Sequence, residues 1–261
     1  INGGAGYSNS KHSETLAWAE SYILASYMAM YEATSDRRYL DTLVAHVDRI
    51  MAGAADDDGD GYLGWGCYRY SEDEIPNGGF EEARCTARVG NLCVSRDRKT
   101  PEHWVRWQSS VSTALRTSLA KRTDKMGVRL VTRPPTWQVI ECRPWGSGNF
   151  SYDPGKWYRL SWAARTNGKV GASVQVYDFT ARKMLASRVT TSTSWGVSVI
   201  DFRAPAAGHD IAVRLMPSDP SAVGGYVDFD DIGLQQKLEW LVHDGMIAWP
   251  IARFIAEVRS D

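Results

Sequence analysis

The hydrophobic pattern of this chain changes period twice, and that constrains its fold more than any other feature. Over residues 13–53 apolar side chains recur at the three-to-four spacing of a helix. From 75 to about 235 short alternating segments replace it, and from Lys237 the helical spacing returns. A helical pattern split by a complete alternating one predicts a domain inserted into another. The expected fold class is therefore multi-domain α and β. A small helical domain takes residues 1–74 and 236–261, and an antiparallel β-sandwich takes 75–235.

In the first segment Ser13 stands as an N-cap, with Glu14 in the first turn where a negative charge suits the helix dipole. Leu16, Ala19, Ile23, Tyr27 and Met30 form one stripe, and Trp18, Tyr22, Ala25 and Ala29 another. This predicts a helix buried nearly all round. Ser35-Asp36 restarts a helix in which Leu40, Leu43, Val44, Val47, Ile50 and Met51 share a face and Gly53 ends it, completing an αα-hairpin. Residues 56–65 read as a loop. In the returning helix, Gly245 and Pro250 are expected interruptions.

The alternating region supplies strand segments at 128–131, 137–141, 157–164, 170–177, 184–189, 195–202, 211–216 and 225–234. Turn signals such as Asp153-Pro154-Gly155, Asn167-Gly168 and Ala207-Gly208 lie between them. Short, evenly spaced strands of this kind predict an all-β sandwich.

Composition narrows the partners. A net charge of −1 supplies no basic field for nucleic acid or an anionic membrane, and the most apolar run, 16–31, contains Glu20 and is too short to span a bilayer. There are 11 Trp and 12 Tyr against 6 Phe. Indole and phenol rings join a flat apolar face to a polar edge, the complement of a sugar ring. Cys67, Cys85, Cys93 and Cys142 contain no CxxC pair. Cys85 and Cys93 are close enough to close a loop, as in a secreted protein; four buried thiols are the alternative. The first residue is Ile, so the sequence is expected to begin after a processed leader, after a removed tag or within a longer gene.

The ordered series Asn77-Gly78-Gly79-Phe80-Glu81, Pro101-Glu102-His103-Trp104, the run from Trp157 to Arg165, Thr193-Ser194-Trp195 and the run from Tyr226 to Leu234 covers most of 76–234. It resembles carbohydrate-binding modules of families four, nine and twenty-two, which implies a jelly roll that binds polysaccharide or oligosaccharide. The resemblance also implies a structural calcium ion held by Glu81 and Asp230, whose oxygens suit that hard cation. It places stacking aromatics at Trp137 and Tyr177, with Gln138, Glu141, Arg165 and Gln175 as hydrogen-bonding partners. Trp145, in a Pro-Trp-Gly turn, becomes a further platform, while Trp104, Trp162 and Trp195 read as core. The stretch 85–93 and the basic segment 116–125 have no place in that pattern.

The αα-hairpin loosely resembles one unit of the (α/α) toroid of glycoside hydrolases, polysaccharide lyases and uronate epimerases. Catalysis of that kind needs a Tyr or His base or opposed carboxylates. The candidates are His12, Glu14, Glu20, Tyr22, His243 and Asp244; ordinary capping and packing are the alternative reading of these residues. Asp56-x-Asp58-x-Asp60-Gly61 imitates the start of an EF-hand, but its closing acid falls on Cys67, which favours a solvated turn. His46, among apolar neighbours, reads as structural. No organic cofactor is implied. The leading expectation is a secreted or extracellular glycan-binding protein, or part of a polysaccharide-active enzyme. A toroid-type lyase, hydrolase or epimerase and a non-catalytic adhesion or scaffold module are the alternatives.

Overall fold

The computed structural model describes residues 2–57, 61–89, 92–106, 114–143 and 150–260. Contacts divide the chain into two compact units, Ile1–Ser71 with Gln236–Asp261, and Glu72–Gln235.

The first unit is helical. α1 (Ser13–Thr15) passes through a π-helical turn, Leu16–Glu20, into α2 (Ser21–Thr34), and α3 (Arg38–Ala52) and α4 (Leu241–Ser260) complete it. A short pair joins β1 (Gly66–Cys67) to β14 (Leu238–Glu239). Ser35 ends α2 in the left-handed conformation, and the Asp36 carboxylate accepts the Arg38 amide at the start of α3. Leu16, Leu24, Met28, Leu43, Ile50 and Ile247 form the core.

Three helical expectations need correction. Ser13 lies inside the helix and its hydroxyl bonds to His243, so it does not cap; His12 holds the cap position without a side-chain bond. The first helix is not buried all round, because Trp18, Tyr22 and Met30 are exposed. The π turn contributes, since it re-aims the faces that a uniform three-to-four count assigns. Finally, α4 runs unbroken through Gly245 and Pro250. Burial of Ile247 in the core, with Met246, Ile251 and Phe254 packed against it, outweighs the lost amide bond at proline.

The second unit is an antiparallel sandwich. Its strands are β2 (Ala83–Val89), β3 (Leu92–Pro101), β4 (Val105–Arg106), β5 (Ala114–Thr117), β6 (Gly127–Val131), β7 (Ile140–Cys142), β8 (Trp157–Thr166), β9 (Ala172–Asp178), β10 (Lys183–Thr190), β11 (Gly196–Arg203), β12 (Ile211–Pro217) and β13 (Tyr226–Gln236). Two five-stranded sheets result, ordered β10-β9-β12-β7-β4 and β11-β8-β13-β6-β5, with β2 and β3 forming a separate hairpin.

The strand alternation turns Val174, Val176, Val213, Leu215 and Ile140 of one sheet toward Leu160, Trp162, Val128, Leu130, Val227 and Phe229 of the other. Each such side chain contributes about 1.5–3 kcal/mol by leaving water. Where the unit begins and ends, Asp73 clasps the two strands of chain: its carboxylate accepts the Ile75 and Leu234 amides.

The motif at 77–81 is a structural staple. Asn77 bonds through its side chain to Glu82 and Glu102, and Phe80 packs on Trp104 at 5.1 Å between ring centroids. Gly78 must be glycine, because a Cβ there would sit 1.8 Å from the Ile232 carbonyl oxygen.

Two strand expectations also change. Residues 137–139 lie outside β7, following the Arg133–Thr136 turn that contains Pro134 and Pro135, which have no amide to give a ladder. The β2–β3 hairpin lies outside the expected strands, although Ala83, Cys85, Ala87 and Val89 alternate with Arg84, Thr86 and Arg88 in β2, because β3 shows no regular period.

Candidate functional site

The outer face of the β10-β9-β12-β7-β4 sheet carries three of the residues expected to bind, Glu141, Gln175 and Tyr177. Registers of neighbouring strands align Val105, Glu141, Arg214, Gln175 and Ser187 in one row crossing all five strands. The next row holds Ala212, Tyr177 and Met184, and a third holds Met216, Ser173 and Val189. Period-two alternation puts these side chains opposite the core residues Val174, Val176, Val213 and Leu215.

Around the first row lies a network of charge and aromatic surface. Arg143 Nη2 approaches Glu141 Oε1 at 2.6 Å and its Nη1 reaches Asp210 at 3.1 Å, while Arg214 lies 3.6 Å from Glu141 Oε2. Arg143 stacks over the Phe179 ring at 4.1 Å, Phe179 meets Tyr177 edge-on at 4.9 Å, and Arg214 lies 5.6 Å from the Tyr177 ring. Burial pushes the Glu141 carboxyl above its ordinary value, opposed by the Arg143 and Arg214 charges, and burial draws the Arg214 guanidinium down. Glu141 Oε2 accepts no hydrogen bond. Gln138 is buried and donates to the Thr136 carbonyl; Trp137, 43% exposed, presents its ring to solvent.

Sequence reasoning missed Arg143, Arg214 and Phe179. Arg214 was detectable as the polar position between Val213 and Leu215, but its place beside Glu141 and Gln175 depends on register, which periodicity does not supply.

Arg165 does not join this face. It belongs to β8 of the other sheet, where Asp228 holds it at 2.9 Å and its guanidinium covers Trp195 at 5.0 Å. The resemblance had grouped it with Gln138, Glu141 and Gln175. The same contact corrects Trp195, which is half-buried at the surface rather than in the core. Trp104 and Trp162 are in the core. Trp145 lies outside the described residues, as do Asp58 and Asp60 of the acidic loop.

Glu81 and Asp230 meet around the segment 122–126, but as acceptors of its amides. Glu81 Oε1 takes the Lys125 and Met126 N–H groups, and Asp230 Oδ2 takes those of Arg122 and Thr123. Asp230 Oδ1 takes the Asp231 amide. Among the described residues no three His, Cys, Asp or Glu side chains converge as a metal cluster. Calcium asks for six to eight oxygens; here Glu81 Oε1 and both Asp230 oxygens accept backbone N–H groups.

In the helical unit the six catalytic candidates do not form one site. Glu20 is sealed away: His46 Nδ1 bonds to its Oε1, the Tyr7 amide donates to its Oε2 at 2.6 Å, and His46 Nε2 reaches the Gly4 carbonyl at 2.9 Å. A carboxylate so enclosed cannot touch a substrate.

His243 is 2% exposed. The Trp18 indole donates to its Nε2 at 3.2 Å, so Nδ1 carries the proton toward Ser13 Oγ at 2.8 Å. Both ring nitrogens are engaged, and burial draws the imidazole below its usual value, opposed by the Glu14 and Asp244 charges.

Asp244 is raised by burial and Glu14 is half-buried; the carboxyl of each has one oxygen without a hydrogen bond. His12 lies edge-on to Tyr68 at 6.3 Å. Tyr22 is exposed and lines a groove of about 480 Å³ with Ala25, Val242, Met246 and Trp249, a lining too apolar to supply proton transfer.

No family model and no curated protein matches the chain. Solved structures do. One is a family 16 carbohydrate-binding module, 18% identical, with TM-score 0.40, covering 49% of this chain and 89% of its own. Another is a family 61 carbohydrate-binding module in complex with β-1,4-galactotriose, 13% identical, with TM-score 0.43, covering 64% and 99%. A third is the xylan-binding domain of a Paenibacillus barcinonensis protein, 10% identical, with TM-score 0.39, covering 54% and 88%.

Proposed function

We propose that the chain binds carbohydrate on the outer face of the β10-β9-β12-β7-β4 sheet. The observation that carries this reading is the row Glu141, Arg214, Gln175, flanked by Tyr177 and Phe179. Paired strands hold a ring face next to charged and amide groups that can both donate to and accept from hydroxyls. A sugar ring uses both at once, through its C–H surface and its equatorial hydroxyls. In this reading Tyr177 supplies stacking and Gln175 and Arg214 donate to hydroxyl oxygens, while the buried Glu141 holds Arg143 and Arg214 in place. Trp137 extends the apolar surface. The Cys85–Cys93 disulfide supports work in an oxidising, extracellular setting.

Native affinity electrophoresis against xylan, β-1,4-galactan and a panel of other polysaccharides tests the reading. The chain should be retarded by at least one glycan. Tyr177→Ala and Gln175→Ala should each weaken that retardation by about tenfold, worth roughly 1.4 kcal/mol. Arg165→Ala, on the opposite sheet, should leave it unchanged. Retardation by no glycan, or equal loss in the Arg165 variant, contradicts the proposal.

A further inference from the structure

The β2–β3 hairpin stands outside both sheets and differs in charge from the rest of the chain. Residues 83–101 contain five basic side chains, Arg84, Arg88, Arg96, Arg98 and Lys99, against the single acid Asp97, in a protein whose net charge is −1. Of the nearby acids, Asp97 and Glu102 are engaged, and Glu82, just before β2, is exposed. Asp97 faces Arg84 and lies 3.4 Å from Arg106, and its carboxyl is held below the ordinary value first by the Thr100 hydroxyl bond. Glu102 pairs with Arg88 at 3.1 Å.

Three cations remain without an anion. Arg96 donates to the Ala83 carbonyl at 3.0 Å, and the Arg98 and Lys99 side chains make no hydrogen bond or ion pair among the described residues. All three are exposed and lie within four consecutive positions of β3. An isolated two-stranded ribbon is marginal in water; here the Cys85–Cys93 disulfide staples it, with a Cα–Cα distance of 5.8 Å.

In sequence the hairpin leads into the face described above, while in space β3 packs beside β5, the edge strand of the other sheet. β3 runs through Pro101-Glu102-His103-Trp104 into β4, the edge strand whose Val105 begins the Glu141 row, and the Arg106–Asp97 pair links β4 to β3.

We propose that this hairpin is an arm for a polyanionic glycan, a sugar chain bearing carboxylate or sulfate groups, with Arg96, Arg98 and Lys99 meeting its charges. The inference rests on the carbohydrate-binding reading and names its ligand class. Nucleic acid is the weaker occupant, because residues 83–101 contain no aromatic side chain on which a base could stack.

The full chain is titrated with polygalacturonate, chondroitin sulfate, neutral xylan and single-stranded DNA, alongside the double variant Arg98→Glu/Lys99→Glu. Both positions are exposed, and an unchanged thermal midpoint verifies the variant's fold. Polyanion affinity should fall on the order of tenfold between about 50 and 200 mM salt. The double variant should lose about tenfold or more on at least one polyanionic glycan, while xylan affinity stays within about twofold of the parent. Equal polyanion binding by the variant, binding of xylan alone, or tighter binding of DNA overturns the arm and leaves the sheet reading standing. Binding of no glycan of any kind overturns both.

Discussion

Asp230 is a carboxylate whose burial outweighs three hydrogen bonds, and its substitution has a calculable signature. The residue is fully buried, and its oxygens accept the amides of Arg122, Thr123 and Asp231. Those bonds favour the ionised form, but desolvation and then the neighbouring Asp231 charge leave the carboxyl raised from 3.8 to about 6. The folded state therefore binds more protons than the unfolded chain between these two values, so stability falls as pH rises from about 4 to about 6. The difference is worth about 3 kcal/mol, or roughly 6 to 12 °C in midpoint for a unit of this size.

Asp230→Asn removes the titration while keeping one acceptor for the 122–126 segment. Calorimetric scans of parent and variant at a series of pH values should show the midpoint difference, variant minus parent, climbing by about that amount from pH 4 to 7. Carboxyls such as Asp97 and Asp219, held below their usual values chiefly by side-chain hydrogen bonds, contribute the opposite slope. They contribute it equally to both proteins and cancel in the difference. A difference that stays flat with pH, or declines, refutes the reasoning and makes Asp230 an ordinary ionised side chain.

Other outcomes follow from the same packing. Gly78→Ala should destabilise the sandwich by more than about 3 kcal/mol through its collision with a backbone carbonyl, whereas Gly79→Ala, whose Cβ would meet nothing nearer than 4.0 Å, should be tolerated; thermal-shift assays of the two separate them. His46→Ala should cost the helical unit about 3 kcal/mol in urea unfolding, because Glu20 then stays buried without its partner; a loss below about 1 kcal/mol contradicts the pair. Millimolar calcium against EGTA should leave the midpoint unchanged, and a rise on adding calcium would mean that Glu81 and Asp230 exchange their amides for the ion.

How much of this was legible beforehand depended on what each residue's neighbours reveal. Leu160, Trp162, Val174, Val176, Val213 and Leu215 alternate with polar residues, so both the strands and their inner faces could be read from spacing alone. The hairpin carrying Arg96 and Arg98 was harder to read, because β3 follows no regular period although β2 alternates Ala83, Cys85, Ala87 and Val89 with polar residues. Gln175 and Tyr177 share a face by their separation of two residues, yet Arg214 and Glu141 come to lie beside them only through pairings between distant strands. Arg165 shows the converse error, since an outward position is legible in sequence while the sheet that owns it is not. In the helical unit, His243 and Glu20 had the residue types of catalysis, but their enclosure by Trp18 and by His46 is a property of packing.

The most direct test of the central claim is backbone-amide shift mapping of the chain titrated with an oligosaccharide from a glycan that retards it. The account predicts saturable shifts at Glu141, Gln175, Tyr177, Ala212 and Arg214, with Arg129, Arg165, Tyr226 and Asp228 of the opposite sheet unmoved. Shifts confined to the opposite sheet, or none at all, would contradict it.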